Sequence, residues 1–292
     1  MSYETMLYEK NDRIATITFN RPEKYNTINA LMPVELEQAI TEANSDREVR
    51  VIILQGSGRA FCAGFDFSGF HERAKQMAAD RGVGWDPGMD AMGVNSPQGP
   101  ISRFMSIWRS PKPVIAKIHG WCVGGGSDMA LLADLVFATE DAIIGTPYSR
   151  VWGCYLTGMW IYRLGLTKVK LLALTGDALT GKEAAEIGLI NMAYPQEELD
   201  EKVMYWAKRM ANIPTTQLGA MKMVVNQAYN NMGLHTTQML GCILDGSMRN
   251  TPEGLEFVRV AGEESVQEAV ARRDGPFGDY SQAPPERKPK VY

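Results

Sequence analysis

Short runs of aliphatic and β-branched residues alternate with helically spaced apolar positions over the first half of the chain. Met6–Glu9 and Ile14–Asn20 flank Lys10-Asn11-Asp12-Arg13, a polar break that predicts a hairpin. Pro33 then opens a helix whose apolar residues Leu36, Ala39, Ile40 and Ala43 fall at i, i+3, i+4 and i+7. Val49–Gln55 and Val114–Ile118 have the continuous apolar character of buried strands, the second introduced by Pro111 and Pro113. Leu135–Thr139 and Ala142–Gly145 follow as two more. From Ser149 the spacing turns helical. Thr180-Gly181-Lys182-Glu183 is a capping-box sequence with Gly188 as a stop, and Pro195, Pro214 and Pro252 mark later helix starts. The pattern predicts an α/β fold, strands and helices alternating first and helices following.

Arg73 to Ser102 interrupts this with Gly82, Gly84, Pro87, Gly88, Gly93, Pro97, Gly99 and Pro100, and predicts a long surface insertion of the kind that covers a site. Ser281–Tyr292, with three prolines, predicts an extended tail. Among 292 residues, 45% are hydrophobic and 22% charged, which excludes collagen-like, disordered and disulfide-scaffold classes. The net charge of −4 and the absence of a basic run argue against nucleic acid as a partner. Cys62, Cys122, Cys154 and Cys242 form no CxxC pair, so neither structural zinc nor a disulfide framework is expected, and reduced thiols fit a cytoplasmic protein. Met1 to Asp12 lacks the apolar core of a signal peptide, and the most apolar stretch, Met129–Ala138, is interrupted by Asp134, so no membrane span is expected.

Two glycine-centred segments carry the candidate chemistry. Gly58-Arg59-Ala60-Phe61-Cys62-Ala63-Gly64-Phe65-Asp66 follows the strand Val49–Gln55, and Gly120-Trp121-Cys122-Val123-Gly124-Gly125-Gly126-Ser127-Asp128 follows the strand Val114–Ile118. Glycines at a strand-to-helix handover let backbone N–H groups point into a cleft, and two converging N–H groups stabilise an enolate or tetrahedral oxyanion. Either segment alone is equally well a tight turn that needs glycine; the pair, each after a buried strand, favours the oxyanion hole. Dinucleotide binding does not follow from Gly56-Ser57-Gly58, because Phe61 stands where the third glycine belongs, and Ser127 is not in a nucleophile elbow.

These residues resemble the crotonase (enoyl-CoA hydratase/isomerase) superfamily. Asn20-Arg21-Pro22 with Asn26 and Asn29 is similar to its N-terminal signature, Ala60 to Asp66 to its first oxyanion motif, Gly120 to Gly126 to its second, and Ile144-Gly145-Thr146-Pro147 to the strand end before its catalytic carboxylate. Leu174-Thr175-Gly176 and Ala184 to Ile190 match its later helical region. The resemblance implies a crotonase-like spiral of ββα units over residues 1–200, a C-terminal helical oligomerisation or lid region over 201–280, the tail 281–292, and assembly as a homotrimer or hexamer. It implies an acyl-CoA thioester as substrate, coenzyme A entering as part of it and no separate cofactor. The N–H groups of Phe65 and Gly125 would hold the thioester oxygen. Lys24, Ala63, Asp66 and Arg273 (or Arg272) would lie along coenzyme A.

Two positions depart from the family pattern. Where hydratases carry one glutamate this chain has Asp128, and where they carry the other it has Tyr148. Asp128 could activate water or merely complement a helix dipole; Tyr148, with a phenol pKa of about 10, could donate a proton or merely pack. The leading expectation is hydration of a 2-enoyl-CoA, Asp128 handling water and Tyr148 the Cα proton. Decarboxylation of a malonyl-type CoA, hydrolysis of a β-oxo acyl-CoA and non-catalytic acyl-CoA binding are the alternatives. Among other residues, His119 is expected to be held by backbone, and His71 follows the first motif closely enough to face the cleft. His235 has no visible partner, Met221, Met223, Met232, Met239 and Met248 are expected to pack between helices, and Trp85-Asp86-Pro87 covers the acyl group or forms a turn.

Overall fold

The computed structural model describes residues 2–69, 76 and 86–280. Strands β1 (Met6–Asn11) and β2 (Ile14–Phe19) form the antiparallel hairpin, turning through Asp12 at φ 53°. Strands β3 (Val51–Gly56), β5 (Val114–Ile118), β7 (Leu135–Thr139) and β10 (Met192–Tyr194) continue it in parallel as a sheet of order β1-β2-β3-β5-β7-β10. Strands β4 (Ala60–Cys62), β6 (Trp121–Val123), β8 (Ile143–Gly145) and β9 (Leu179–Thr180) form a second sheet, β4-β6-β8-β9. The chain thus contributes a strand to the large sheet, then one to the small sheet, then helix, and repeats. That is the expected spiral of ββα units.

Burial on both faces of the large sheet follows from strand periodicity. Ile52 and Leu54 point to the main core with Leu36, Ala39, Ile40 and Ala43 of the helix Met32–Ser45; Val51 and Ile53 point to the other face. There Leu199, Val203, Ala207 and Ala211, spaced by four along the helix Gln196–Ala211, cover them. Full burial of each leucine, isoleucine or valine side chain here contributes about 1.5–3 kcal/mol. Residue 200 lies inside this sheet-covering helix, so the sequence division at 200/201 cuts a helix of the sheet layer rather than a linker.

Three expectations change. The three-residue strands β4 and β6 lie within the glycine segments, where the hydrophobic pattern predicts no strand. In the insertion, Pro87 and Pro100 begin the helices Pro87–Asn95 and Pro100–Arg109, a position where the missing N–H costs no hydrogen bond, and Asp86 caps the first through Gly88 N (2.9 Å) and Met89 N (3.3 Å). Breakers that read as loop were helix starts. Finally, Met221, Met223 and Met232 do not pack inside: they are exposed, because the helix Thr215–Asn231 docks by the face that carries Lys222, Asn226 and Tyr229, the last edge-on to Trp108 at 5.1 Å. Lys222 Nζ meets Asp134 Oδ2 at 2.8 Å and the Ile107 carbonyl at 3.2 Å, and Asn226 donates to the Trp108 carbonyl at 3.1 Å.

Candidate active site

Strands β4, β6 and β8 run parallel, with Cys62 opposite Cys122 and Val123 opposite Gly145. Their carboxyl ends therefore deliver Gly64-Phe65, Gly124-Gly125 and Tyr148 to one edge of a cavity of about 1220 Å³. This is where open parallel α/β sheets present their ligand sites. Asn26 ties the first loop: its buried amide donates to the carbonyls of Ser57 (2.9 Å) and Ala60 (2.8 Å) and accepts from Arg21 N (2.8 Å). Arg21 in turn pairs with Asp66 at 2.9 Å. A bridge joins Ile28 to Phe65, with Ile28 N donating to Gly64 O and Asp66 N to Ile28 O. Those bonds use the neighbours of Phe65 and leave its own N–H outside the ladder. Gly125 is the first residue of the helix Gly125–Ala130, so its N–H has no intrahelical acceptor. A Cβ on Gly125 would sit 2.6 Å from the Phe65 ring, and Gly64 and Gly124 hold φ values of 102° and 54° that favour glycine.

Tyr148 lines the cavity beside Gly124, where an added Cβ would lie 3.7 Å from its hydroxyl. That hydroxyl donates to Asp128 Oδ2 at 2.7 Å. Asp128 is fully buried and is not among the cavity-lining residues. Its Oδ1 accepts from Thr157 Oγ1 (2.9 Å) and Thr157 N (3.2 Å). Direct handling of water, the role expected of Asp128, does not fit this placement: both oxygens are engaged and Tyr148 stands between it and the cavity. Burial pushes the Asp128 carboxyl up to about 6 against the hydrogen bonds from Tyr148 and Thr157. Burial, then the Asp128 charge, drives the Tyr148 phenol well above its ordinary 10.

Ala63, Asp66 and Arg273 line the same cavity, Arg273 lying over the Phe257 ring at 5.5 Å and paired with Asp274 at 2.7 Å. Lys24 ends the 3-10 turn Pro22–Lys24, is exposed, and is not a lining residue; Arg272 pairs outward with Glu264 and Glu268. His119 Nε2 meets the Gly58 carbonyl at 2.9 Å, the backbone role expected of it, and His235 finds Asn95 at 3.0 Å. His71, Trp85 and the tail 281–292 lie outside the described residues. Among the described residues no cluster of three or more His, Cys, Asp or Glu could hold a metal ion.

Sequence reasoning missed one polar group in the cavity. Asp245 and Arg249, on the helix Leu234–Arg249, line it together with Asp90 of the helix Pro87–Asn95. Arg249 Nε lies 3.1 Å from Asp245 Oδ2 and its Nη2 lies 2.5 Å from Asp90 Oδ1. The i,i+4 spacing of Asp245 and Arg249 was the sole sequence signal, and such pairs usually mark a solvated helix face. Burial pushes the Asp245 carboxyl up to about 6; Arg249 opposes this, while Asp90 and Asp128 add to it.

The sequence profile of the enoyl-CoA hydratase/isomerase family matches residues 9–241. A crystal structure of an enoyl-CoA hydratase from Mycobacterium smegmatis superimposes with a TM-score of 0.88 at 43% identity, covering 96% of both chains. An enoyl-CoA hydratase/isomerase from Xanthobacter autotrophicus Py2 gives a TM-score of 0.80 at 28% identity over 94% of this chain and 99% of its own. The 1,2-epoxyphenylacetyl-CoA isomerase of Escherichia coli is 30% identical over 231 residues, which are 78% of this chain and 84% of that one.

Proposed function

The chain belongs to the enoyl-CoA hydratase/isomerase family, and from that premise we propose that it adds water across the double bond of a 2-enoyl-CoA thioester. The observation that carries the reading is the Tyr148 hydroxyl, facing the cavity beside Gly124 and backed by buried Asp128. The thioester oxygen sits between the N–H groups of Phe65 and Gly125, which stabilise the enolate formed when water attacks Cβ. Tyr148 passes its proton to Cα as Asp128, in its protonated form, replaces it. Asp128 acts through Tyr148 and is a positioning and proton-supplying residue. Ala63, Asp66 and Arg273 run along coenzyme A, and no separate cofactor is needed; Lys24 stays in solvent. Decarboxylation of a malonyl-type substrate is disfavoured by charge: Asp245 and Asp90 line the cavity against one arginine, Arg249, which leaves no free cation there among the described residues to hold a substrate carboxylate.

The same reading includes a homotrimer or hexamer in the cytoplasm. Met221, Met223, Val224 and Val225 expose an apolar face on one helix, of the kind that marks association. No helix among the described residues is long and apolar enough to cross a membrane. The function is tested by offering 2-enoyl-CoAs, methylmalonyl-CoA and cyclic oxo-acyl-CoAs and weighing the products. The expected result is gain of one water by 2-enoyl-CoA, with Tyr148→Phe slower by about 10²–10⁴-fold. Loss of carbon dioxide from methylmalonyl-CoA with no hydration of any enoyl thioester would replace hydration by decarboxylation.

A further inference from the structure

Hydration needs a base for the attacking water, and Asp128 is shut out of the cavity. Of the carboxylates that line it, Asp66 is held by Arg21 at 2.9 Å and caps Ser68 N at 2.9 Å, and Asp90 is held by Arg249 at 2.5 Å. Asp245 differs. Arg249 takes only its Oδ2, and Oδ1 has no hydrogen-bond partner among the described residues. Its side chain keeps 18% exposure in a position that lines the cavity. Asp245 shares the cavity lining with Tyr148 and with Cys242 of its own helix, and its charge adds to the burial that raises the Tyr148, Cys154 and Cys242 pKa values.

The packing around it is specific. Gly246 has no side chain because the Asp90 carboxylate occupies the space a Cβ would take, and Gly93 faces Cys242 Sγ at 3.7 Å from where its Cβ would be. The insertion helix Pro87–Asn95 is thereby seated on the helix Leu234–Arg249, and Asp90 orients Arg249, which orients Asp245.

We infer that Asp245 is the catalytic base of this site, holding and deprotonating the water that attacks Cβ. This rests on the hydration reading above. The Asp245 carboxylate takes one proton from water and the water oxygen bonds to Cβ. The Cα–Cβ π pair moves onto the thioester as an enolate held by Phe65 and Gly125. The enolate collapses as Cα takes the Tyr148 proton, which Asp128 replaces; the Asp245 proton then passes to water in the cavity, and a proton from that water returns to Asp128 through the Tyr148 hydroxyl. The resting site thus needs one proton shared by two carboxylates. Its groups facing one another are Asp245, Arg249 and Asp90 from the two helices, and Asp128, Tyr148, Cys154 and Cys242. Burial has raised both carboxyls to about 6, so a bell-shaped rate profile belonging to the pair is expected, its acid limb set by Asp245.

The test measures hydration of 2-enoyl-CoA by wild type, Asp245→Asn and Asp245→Ala across pH 5–9 (roughly the window bracketing a general base near neutrality). Expected are a kcat loss of about 10²–10⁴-fold with KM little changed, disappearance of the acid limb, and partial rescue of Asp245→Ala by added formate. Rescue by a small carboxylate is a readout that a structural role would not give. Wild-type hydration with an Asp245→Asn enzyme of unchanged rate and unchanged acid limb overturns the assignment and leaves the hydration reading standing. A folded Asp245→Ala enzyme that is slow but deaf to formate also overturns it, and a wild type that hydrates no enoyl thioester removes both.

Discussion

The ββα spiral and the C-terminal helices solve opposite problems with similar composition. In the spiral, apolar residues face inward from both sides of a sheet, and the polar groups of the cavity enter where strands end. In the helix Thr215–Asn231 the docked face is mixed, Lys222 and Asn226 bonding to their neighbours and Tyr229 packing on Trp108, while Met221, Met223, Val224 and Val225 face out. The cavity lies between them, taking Phe65, Gly125 and Tyr148 from the first and Asp245, Arg249 and Arg273 from the second.

The largest expected effect falls on the spiral side. Proline at Gly125 occupies a first helical position that tolerates it, yet has no N–H to give the thioester oxygen. Turnover should fall by at least about 10²–10³-fold, read as kcat on whichever acyl-CoA the wild type accepts. Gly125→Ala is the control: it keeps the N–H but pushes a Cβ at the Phe65 ring, so it should bind acyl-CoA less well and still turn over. Equal activity of Gly125→Pro and wild type would move the oxyanion hole elsewhere.

What was legible in the sequence divides along the same line. The hairpin, the helix from Pro33 and the strands of the large sheet each announce themselves by local spacing, and the two glycine segments by their position after strands. Thr180 and Glu183 form the capping box their spacing implied, at 2.6 Å and 3.1 Å. Strands β9 and β10 were missed because two or three residues carry no period, and they exist through pairing with β8 and β7. The position of Asp128 at the end of the second glycine segment was legible, but not its burial behind Tyr148, which depends on Thr157 arriving from a distant part of the chain. Asp90, Asp245 and Arg249 were illegible as a group, since tertiary packing alone brings the insertion helix to the C-terminal one. The outward methionines were misread because spacing shows that a helix has an apolar face, not what covers it.

Next in size is the fastening between the two regions. Arg150, in the 3-10 turn Pro147–Arg150 that carries Tyr148, pairs with Asp279 (2.7 Å), Asp177 (3.2 Å) and Asp274 (3.3 Å) and stacks on Phe277 at 3.9 Å. Arg150→Met leaves buried Asp274 and Asp279 short of their cation, and breaking a buried pair in this way costs about 3–5 kcal/mol. Denaturant unfolding should show that loss, with Tyr148 misplaced and activity reduced alongside. A variant as stable as wild type would mean that the regions hold together without this cluster.

Association is where the helices should respond and the spiral should not. Met223→Glu places a charge on the exposed face without touching the core, so the isolated fold should change by no more than about 0.5 kcal/mol. Light scattering should nevertheless show a smaller species than wild type. An unchanged assembly would place the contact on another face, and a wild-type monomer at micromolar concentration would contradict the trimer or hexamer.

The smallest effect compares the two carboxylates, one from each region. Burial has raised Asp128 and Asp245 from 3.8 to about 6, so the folded state binds their protons more tightly than the unfolded chain does. Between about pH 4 and pH 6 the unfolded chain releases those protons first, and stability falls as pH rises through that window. Substituting asparagine removes this cost. Asp128→Asn should therefore be more thermostable than wild type at neutral pH, by on the order of 1 kcal/mol, and lose the advantage as pH falls toward 4. Its amide can still satisfy the site: one oxygen accepts from Thr157, and the Tyr148 hydroxyl turns to accept from the new N–H. Asp245→Asn should gain less, because the Arg249 charge already offsets part of its desolvation and would be left with Asp90 alone. Both sites trade stability for a poised proton if the gains appear together with lost turnover. If Asp245→Asn is instead destabilised at neutral pH while Asp128→Asn is not, the helix carboxylate serves mainly as the partner of Arg249, and the comparison between the two regions shifts from shared chemistry to scaffold.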